Sequence, residues 1–466
     1  MHERSFSPFV AFSEGSPSLE DIATATTNAT GSLDPLGISS IGNLCWNKSI
    51  NSIGLVSGTV EDETIPILRR LVTSYLTDTT SKVLILHTDH SAVFGGSCSL
   101  LASSWPPPRV LVSPQAPESV FSTCQTFNAS VTPISFPDTS LTLRHVLAIF
   151  TPPHDMPGSS TVLGAVQYIL SQLQEPFDLQ RFGELVDGEK WSEEAATFIA
   201  LRQTLLTKLL SPAGVEDPED MARQITLVDL TDPVLNSTRL DSVIMDIAVH
   251  DFLRHTAERK MIVFNNCQQY LTATSALRRT IESLATAGSG RTASVILSTT
   301  DPTAISASPS FLHSLQYVLF GSSYSILHDG FLDRHLPRLS IPREQCGFRR
   351  AVLWSPGSTL YLPKNEMPVK KSWNDLVSFI DVTQFEDSMP TAAFSSDTHN
   401  KIRDGYQPNY AELSQQTTRF DSSDGGEKST SLSTPVPSNN DLSFPAPSDE
   451  PLSQVYFTHV CLLDGL

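Results

Sequence analysis

A rhythm of short apolar runs, separated by segments of helical periodicity, constrains this chain more than any other feature. I-T-L-V-D-L at 225–230, M-I-V-F at 261–264, S-V-I-L-S at 294–298 and Q-Y-V-L-F at 316–320 recur along one stretch. Positions 240–255 and 276–285, between the first three runs, each carry one apolar face at helical spacing. An unbroken apolar run suits a strand buried on both faces, and a helical crossover returns the next strand parallel to the last. The rhythm therefore predicts an α/β fold: a mostly parallel sheet between two helical layers.

The same order occurs earlier in the chain. I-G-L-V at 53–56 runs into Ser57-Gly-Thr-Val-Glu-Asp-Glu-Thr64, then an amphipathic segment at 65–76, then K-V-L-I-L-H at 82–87. In such a strand–loop–helix–strand unit, the loop stands where a phosphate loop would stand. A working phosphate loop reads G-x-x-x-x-G-K-[ST]: its glycines let backbone N–H groups surround phosphates, and its Lys neutralises them. Aligned on Thr64, the loop has Ser57 for the first Gly and Asp62 for the second, with Glu63 for the Lys; only Thr64 remains of the motif, Gly58 falling on an unrestricted position. Two carboxylates would face a triphosphate there and repel it. The other reading is a connecting loop that never bound phosphate.

Outside these blocks the pattern is less regular. Strands are expected at 109–112 and 146–150. Residues 159–211 read as a helical insertion beside the sheet, and 212–220 as an acidic linker. A terminal hairpin is expected from 351–354 and 359–362 around Pro356-Gly357, with a last docked segment at 379–385. Residues 1–48, rich in Ser, Thr, Gly and Asn, read as a disordered or loosely packed arm. Residues 386–466 read as a disordered acidic Ser/Pro-rich tail with an apolar island at 455–463, which leaves 49–385 as the α/β domain.

The 466 residues carry a net charge of −19, which argues against phosphate-backbone partners because these want Lys and Arg. No apolar run is long enough to span a bilayer. The opening M-H-E-R-S-F-S-P-F has no basic start followed by an apolar core, so no signal peptide is expected. Cys45, Cys98, Cys124, Cys267, Cys346 and Cys461 form no C-x-x-C pair; scattered thiols of this kind suit the cytoplasm or nucleus. The Asn-x-Ser/Thr matches at Asn28, Asn47, Asn128 and Asn236 read as chance in a Ser/Thr-rich chain.

In combination, the order of the blocks resembles the HerA–FtsK-like P-loop ATPases, and is closest to their fungal relatives. The runs that carry it are I-T-L-V-D-L-T-D-P from Ile225, M-I-V-F-N-N-C-Q-Q-Y-L from Met261 and V-I-L-S-T-T-D-P-T from Val295. The resemblance implies a RecA-like three-layer sandwich. It places the family's Walker B acidic pair on Asn265 and Asn266, and its sensor Gln on Thr300. An amide supplies no carboxylate to a magnesium shell and accepts no proton from attacking water. The expectation is a pseudo-ATPase with no catalytic residue, metal or cofactor, acting as a scaffold with a protein partner or as a homo- or hetero-oligomer. The alternative is a diverged DNA translocase that binds ATP and magnesium.

Other candidates have simpler readings. Asp229 and Asp232 flank a strand end, where capping explains them. His87, Asp89 and His90 could ligate a metal, but a place on the strand for His87 and a polar turn at Asp89 and His90 account for them. Arg278-Arg279 reads as a solvated helix face, Cys267 lacks an evident base, and Ser355 sits in a turn sequence unlike G-x-S-x-G.

Overall fold

The computed structural model describes residues 8–12, 33–88, 100–113, 121–173, 177–211, 223–230, 240–254, 259–269, 276–287, 292–303, 314–321, 331 and 350–381, apart from short breaks inside those spans. These fall within one compact unit, Met1–Pro390. In chain order the first elements are β1 (Phe9–Phe12), β2 (Leu33–Ser39), β3 (Gly42–Asn47), β4 (Ile53–Ser57), α1 (Glu61–Tyr75), β5 (Ser81–His87), β6 (Arg109–Val112), β7 (Ser130–Pro133) and β8 (Phe136–Pro137). Then come α2 (Leu143–Ile149), α3 (Ser159–Ser171), α4 (Leu179–Asp187), α5 (Glu193–Leu209), β9 (Leu210–Ser211), β10 (Ile225–Asp229), α6 (Asp241–Arg254) and β11 (Arg259–Asn265). The last are α7 (Ala276–Thr286), β12 (Ser294–Thr299), β13 (Tyr317–Phe320), β14 (Arg350–Pro356), β15 (Thr359–Leu362), β16 (Val369–Ser372) and β17 (Asp375–Asp381).

Fifteen strands form one sheet in the order β16-β15-β1-β3-β2-β17-β14-β13-β4-β12-β11-β5-β10-β6-β7, and β8 pairs with β9 separately. From β13 to β7 every pairing is parallel. At β14 the direction reverses, and the rest of the sheet is antiparallel except for β1 with β15. Alternation along the parallel strands separates two cores. Leu84, Leu86, Ile262, Phe264 and Leu297 pack on the side of α2 to α7. Val83, Ile85, Met261, Val263 and Ile296 pack on the side of α1. The apolar run-and-helix pattern is thus realised as an α/β, mostly parallel sheet between helical layers. Among the described residues, no helix is long and apolar enough to cross a membrane.

α1 forms because Ile65, Leu68, Leu71, Val72 and Tyr75 fall on one face and are buried there. On the other side of the sheet, the stretch 159–211 contains three helices; Asp178 caps α4 and Ser192 caps α5, each accepting a backbone N–H with its side chain. A charged knot ties this layer together. Asp246 on α6 accepts from Thr280 of α7 (2.5 Å) and faces His145 (3.3 Å) and Arg144 (3.6 Å) of α2. Burial alone would raise the Asp246 carboxyl; hydrogen bonds from His145 and Thr280, with the charges of His145 and Arg144, hold it below the usual range.

Several expectations are corrected. The run 146–150 lies in and just after helix α2, not in a strand. Thr142 accepts the His145 backbone N–H and His145 Nδ1 accepts that of Thr142, a reciprocal cap that starts a helix with His145, Val146 and Ile149 buried. β14 and β15 are not a hairpin: β14 pairs with β13 and β17, while β15 pairs with β1 and β16. The loose arm does not hold for β1, β2 and β3, which join the sheet and bury Phe9, Leu44 and Trp46 completely. Of the docked segment expected at 379–385, the part to Asp381 belongs to β17, and 382–385 lie outside the described residues. The tail 386–466 and the linker 212–220 lie outside the described residues.

Candidate functional site

Open α/β sheets bind ligands beyond the carboxyl ends of their parallel strands, and the residues singled out from the sequence converge there. β12 lies between β4 and β11. Thus Ser57 at the end of β4, Thr299 at the end of β12 and Asn265 at the end of β11 stand on three neighbouring strands. Adjacent strands lie about 4.8 Å apart.

The phosphate-loop counterpart is a tight strand-to-helix connection. Only 58–60 separate β4 from α1, so Asp62, Glu63 and Thr64 belong to the first turn of the helix rather than to a wrapped loop. This corrects the expected helix start at 65. It also places Pro66 one turn in, where its missing N–H forgoes the bond to the carbonyl of Asp62. The backbone around Ser57 is committed on both sides: Gly58 N–H donates to Thr299 O (3.2 Å) and Gly321 N–H donates to Ser57 O (2.6 Å). Ser57 and Thr64 are buried. A phosphate cradle needs successive N–H groups free to turn inward. Here the Gly58 N–H is taken by Thr299, and the first turn of α1, whose N–H groups have no partner within the helix, is acidic in sequence at 61–63.

At the Walker B counterpart, both amides are engaged. Asn265 Nδ2 donates to His87 Nδ1 (2.9 Å), with His87 the register partner of Asn265 on β5. Accepting at Nδ1 leaves the ring proton on Nε2, which is buried and has no hydrogen-bond partner among the described residues. Asn266 takes a left-handed backbone (φ 54°) and donates from Nδ2 to Thr88 O (3.3 Å). Asn tolerates that conformation better than other side-chain-bearing residues. The turn continues through Cys267–Gln269 as a short 3-10 segment, and Gln268 Nε2 donates to Thr300 Oγ1 (3.0 Å). Thr300, the sensor counterpart, is therefore tied to the turn after β11. Beyond it, Asp301 Oδ1 accepts from Thr303 N–H (2.9 Å) and closes the end of β12.

Among the described residues, the positions expected to hold a carboxylate pair and a phosphate-binding Lys hold other residue types. Asn265 and Asn266 offer neutral amides already held by His87 and Thr88. No Lys or Arg stands among the described residues that end the eight parallel strands. The residues present do not fit a magnesium–nucleotide complex.

The remaining candidates resolve simply. Asp229 is buried at the end of β10, in register with His87; Asp232, Asp89 and His90 lie outside the described residues. Arg278 bonds Glu282 on its own helix (3.0 Å). Burial drives the Cys267 thiol far above its ordinary value, which makes it a poor nucleophile. Ser355 is buried in β14 and donates to Gln316 O (3.0 Å). His87 ends the strand expected at 82–87. No local signal ties it to Asn265, 178 positions away in the chain.

No family model and no curated protein matches the chain. Solved structures of similar shape include VirB4 of Thermoanaerobacter pseudethanolicus, with a TM-score of 0.45 at 11% identity over 69% of this chain and 93% of that one. The bacterial conjugative coupling protein TrwBΔN70 gives 0.40 at 9% identity, over 80% and 87% respectively. B204, the DNA-packaging ATPase of Sulfolobus Turreted Icosahedral Virus, gives 0.30 at 8% identity, over 66% and 92%.

Proposed function

We propose that this chain is a catalytically disarmed P-loop-like protein, a pseudo-ATPase that acts as a scaffold or protein-binding subunit. One observation carries the reading. The two positions expected to deliver carboxylates to magnesium hold amides, and each amide is bonded within the domain, Asn265 to His87 and Asn266 to Thr88. Phosphoryl transfer depends on positioning and charge neutralisation. With acidic residues at 61–63 and amides at 265–266, this end of the sheet supplies neither. What the fold retains is a wide sheet between helical layers, whose edges and outer surfaces can receive another chain, either a different protein or a second copy.

Calorimetric titration of the full chain with ATP, with and without magnesium, tests the reading. The expected result is no saturable heat at millimolar nucleotide. Micromolar affinity that strengthens with magnesium would overturn it in favour of a nucleotide-binding translocase.

A further inference from the structure

Helix α5 carries a cation in the middle of its buried stripe. Ala195, Ile199, Leu206 and Leu209 recur at helical spacing and pack into the core, and Arg202 falls between them, 9% exposed. Its guanidinium carbon lies 5.1 Å from the centre of the Phe198 ring, one turn earlier on the same helix. Among the described residues it makes no hydrogen bond and no ion pair. Burial lowers the guanidinium from its ordinary value, as it does for a cation taken out of water. The surface beside this pair is apolar. Leu201 is 66% exposed, and Phe198 and Leu205 are half-buried at the margin of the core. Positions 198, 201 and 205, with the exposed Lys208, run along one side of α5, and Arg202 lies between that side and the core.

The geometry points to this side of α5 as a docking surface for a partner protein that presents a carboxylate flanked by apolar side chains. The carboxylate meets Arg202, and its apolar neighbours cover Leu201 and Phe198. The inference rests on the reading of the chain as a protein-binding subunit and gives that reading a location. A guanidinium stacked on an aromatic face keeps its N–H donors at the edge of its plane, in the fork that a carboxylate matches. Folding has already removed most of the water from Arg202, so pairing has only the carboxylate left to desolvate. Lys208 adds a second positive charge on the same side. The acids of α5, Glu193 and Glu194, are confined to its first turn, where the helix amino end favours them. A purely structural residue at 202 would be apolar, since it would fill the stripe without burying a charge that lacks an anion. An Arg with an aromatic ring at the centre of a small apolar patch is also the composition of a binding hot spot.

The test is selection of a phage-displayed library of random peptides on the full chain, followed by fluorescence polarisation of the enriched peptides against wild type, Arg202→Met and Leu201→Ser. Recovered peptides are expected to carry Asp or Glu between apolar residues. Each substitution should weaken them about tenfold or more, and so should replacing the peptide's acid by its amide. Arg202→Met should add no further loss to the amide peptide, which marks the two groups as partners. Arg202→Met should melt no lower than wild type; should it fail to fold, Leu201→Ser, at an exposed position, still decides. A library that yields no binder, or binders without an acid, overturns the inference. So does a dimer of this chain that Arg202→Met dissociates, because the occupant is then a second copy. Peptides that bind all three proteins equally overturn the location and leave the protein-binding reading standing. Micromolar affinity of the wild type for magnesium–ATP overturns that reading instead, so the two failures are distinguishable.

Discussion

The two ends of the parallel sheet handle charge in opposite ways. At the carboxyl ends, where ligand chemistry is usually placed, Asn265, Ser298, His87 and Asp229 are buried near the ends of neighbouring strands, and no Lys or Arg ends a parallel strand among the described residues. At the amino ends, Lys82, Arg109, Arg259 and Lys260 open β5, β6 and β11, and Arg223 precedes β10. Cations there meet carbonyls. Lys260 Nζ donates to Leu253 O in the last turn of α6 (2.6 Å), Lys48 Nζ donates to Ser74 O near the end of α1 (3.1 Å), and Arg223 donates to Pro107 O (3.1 Å). Helix carboxyl ends carry partial negative charge and carbonyls without helical partners, so cations there stabilise the fold itself. In this protein, positive charge supports structure at the amino end of the sheet, and among the described residues no Lys or Arg ends a parallel strand at the other.

Three substitutions test how far that contrast extends. The largest effect is expected at the amino end, from packing. A Cβ on Gly54 of β4 would overlap the ring of Tyr317 on the neighbouring β13. Gly54→Ala should cost about 3 kcal/mol in urea unfolding, and Tyr317→Leu in the same chain should restore much of it. If Gly54→Ala melts like wild type, the close packing of β13 on β4 is wrong.

Lys260→Ala should have the next largest effect, about 2 kcal/mol, because it leaves the Leu253 carbonyl without its donor. Burial first, and the charge of Lys82 second, lower the Lys260 ammonium from the ordinary lysine value. The folded chain therefore releases this proton at a lower pH than the unfolded chain does. In the alkaline window between those two values, stability should rise with pH in wild type, and this rise should be absent in Lys260→Ala. An unchanged slope would show that Lys260 is not the group responsible.

The smallest effect is expected at the carboxyl end. Asn266→Ala loses the bond to Thr88 and puts a Cβ-bearing residue without local hydrogen bonding at φ 54°, for about 1–2 kcal/mol. Asn266→Gly should cost less, since glycine accepts that conformation. Equal melting of the Ala and Gly variants would mean that the left-handed turn does not constrain position 266.

The sequence made some of this visible and hid the rest. β4, β5, β6 and β10 to β13 were legible because each is an apolar run buried on both faces. Asn265 and Asn266 were legible by position, at the end of such a run. The run at 146–150 misled because short apolar stretches look alike in a strand or a buried helix, and the cap that decides between them uses His145 where Glu or Gln is usual. β1 to β3 were hidden in Ser/Gly/Asn-rich sequence and are held by partners far along the chain, as β1 is by β15. The His87–Asn265 bond was hidden for the same reason. It is made by strand register, and no motif records register between distant segments.

The pairing of β1 with β15 also bears on how the molecule comes into being. Val10 lies beside Thr359, and Ile380 beside Ser39, so the antiparallel half is woven from both ends of the described chain. On the ribosome, β1 and β2 meet β3 early, whereas their other partners, β15 and β17, emerge only near the end of the described chain. The parallel half, built largely from β4 to β13, can consolidate first. Until β15 and β17 emerge, one backbone edge of β1 and one of β2 lack their strand partners, although Phe9 and Trp46 can already pack on each other and Trp46 on Tyr75.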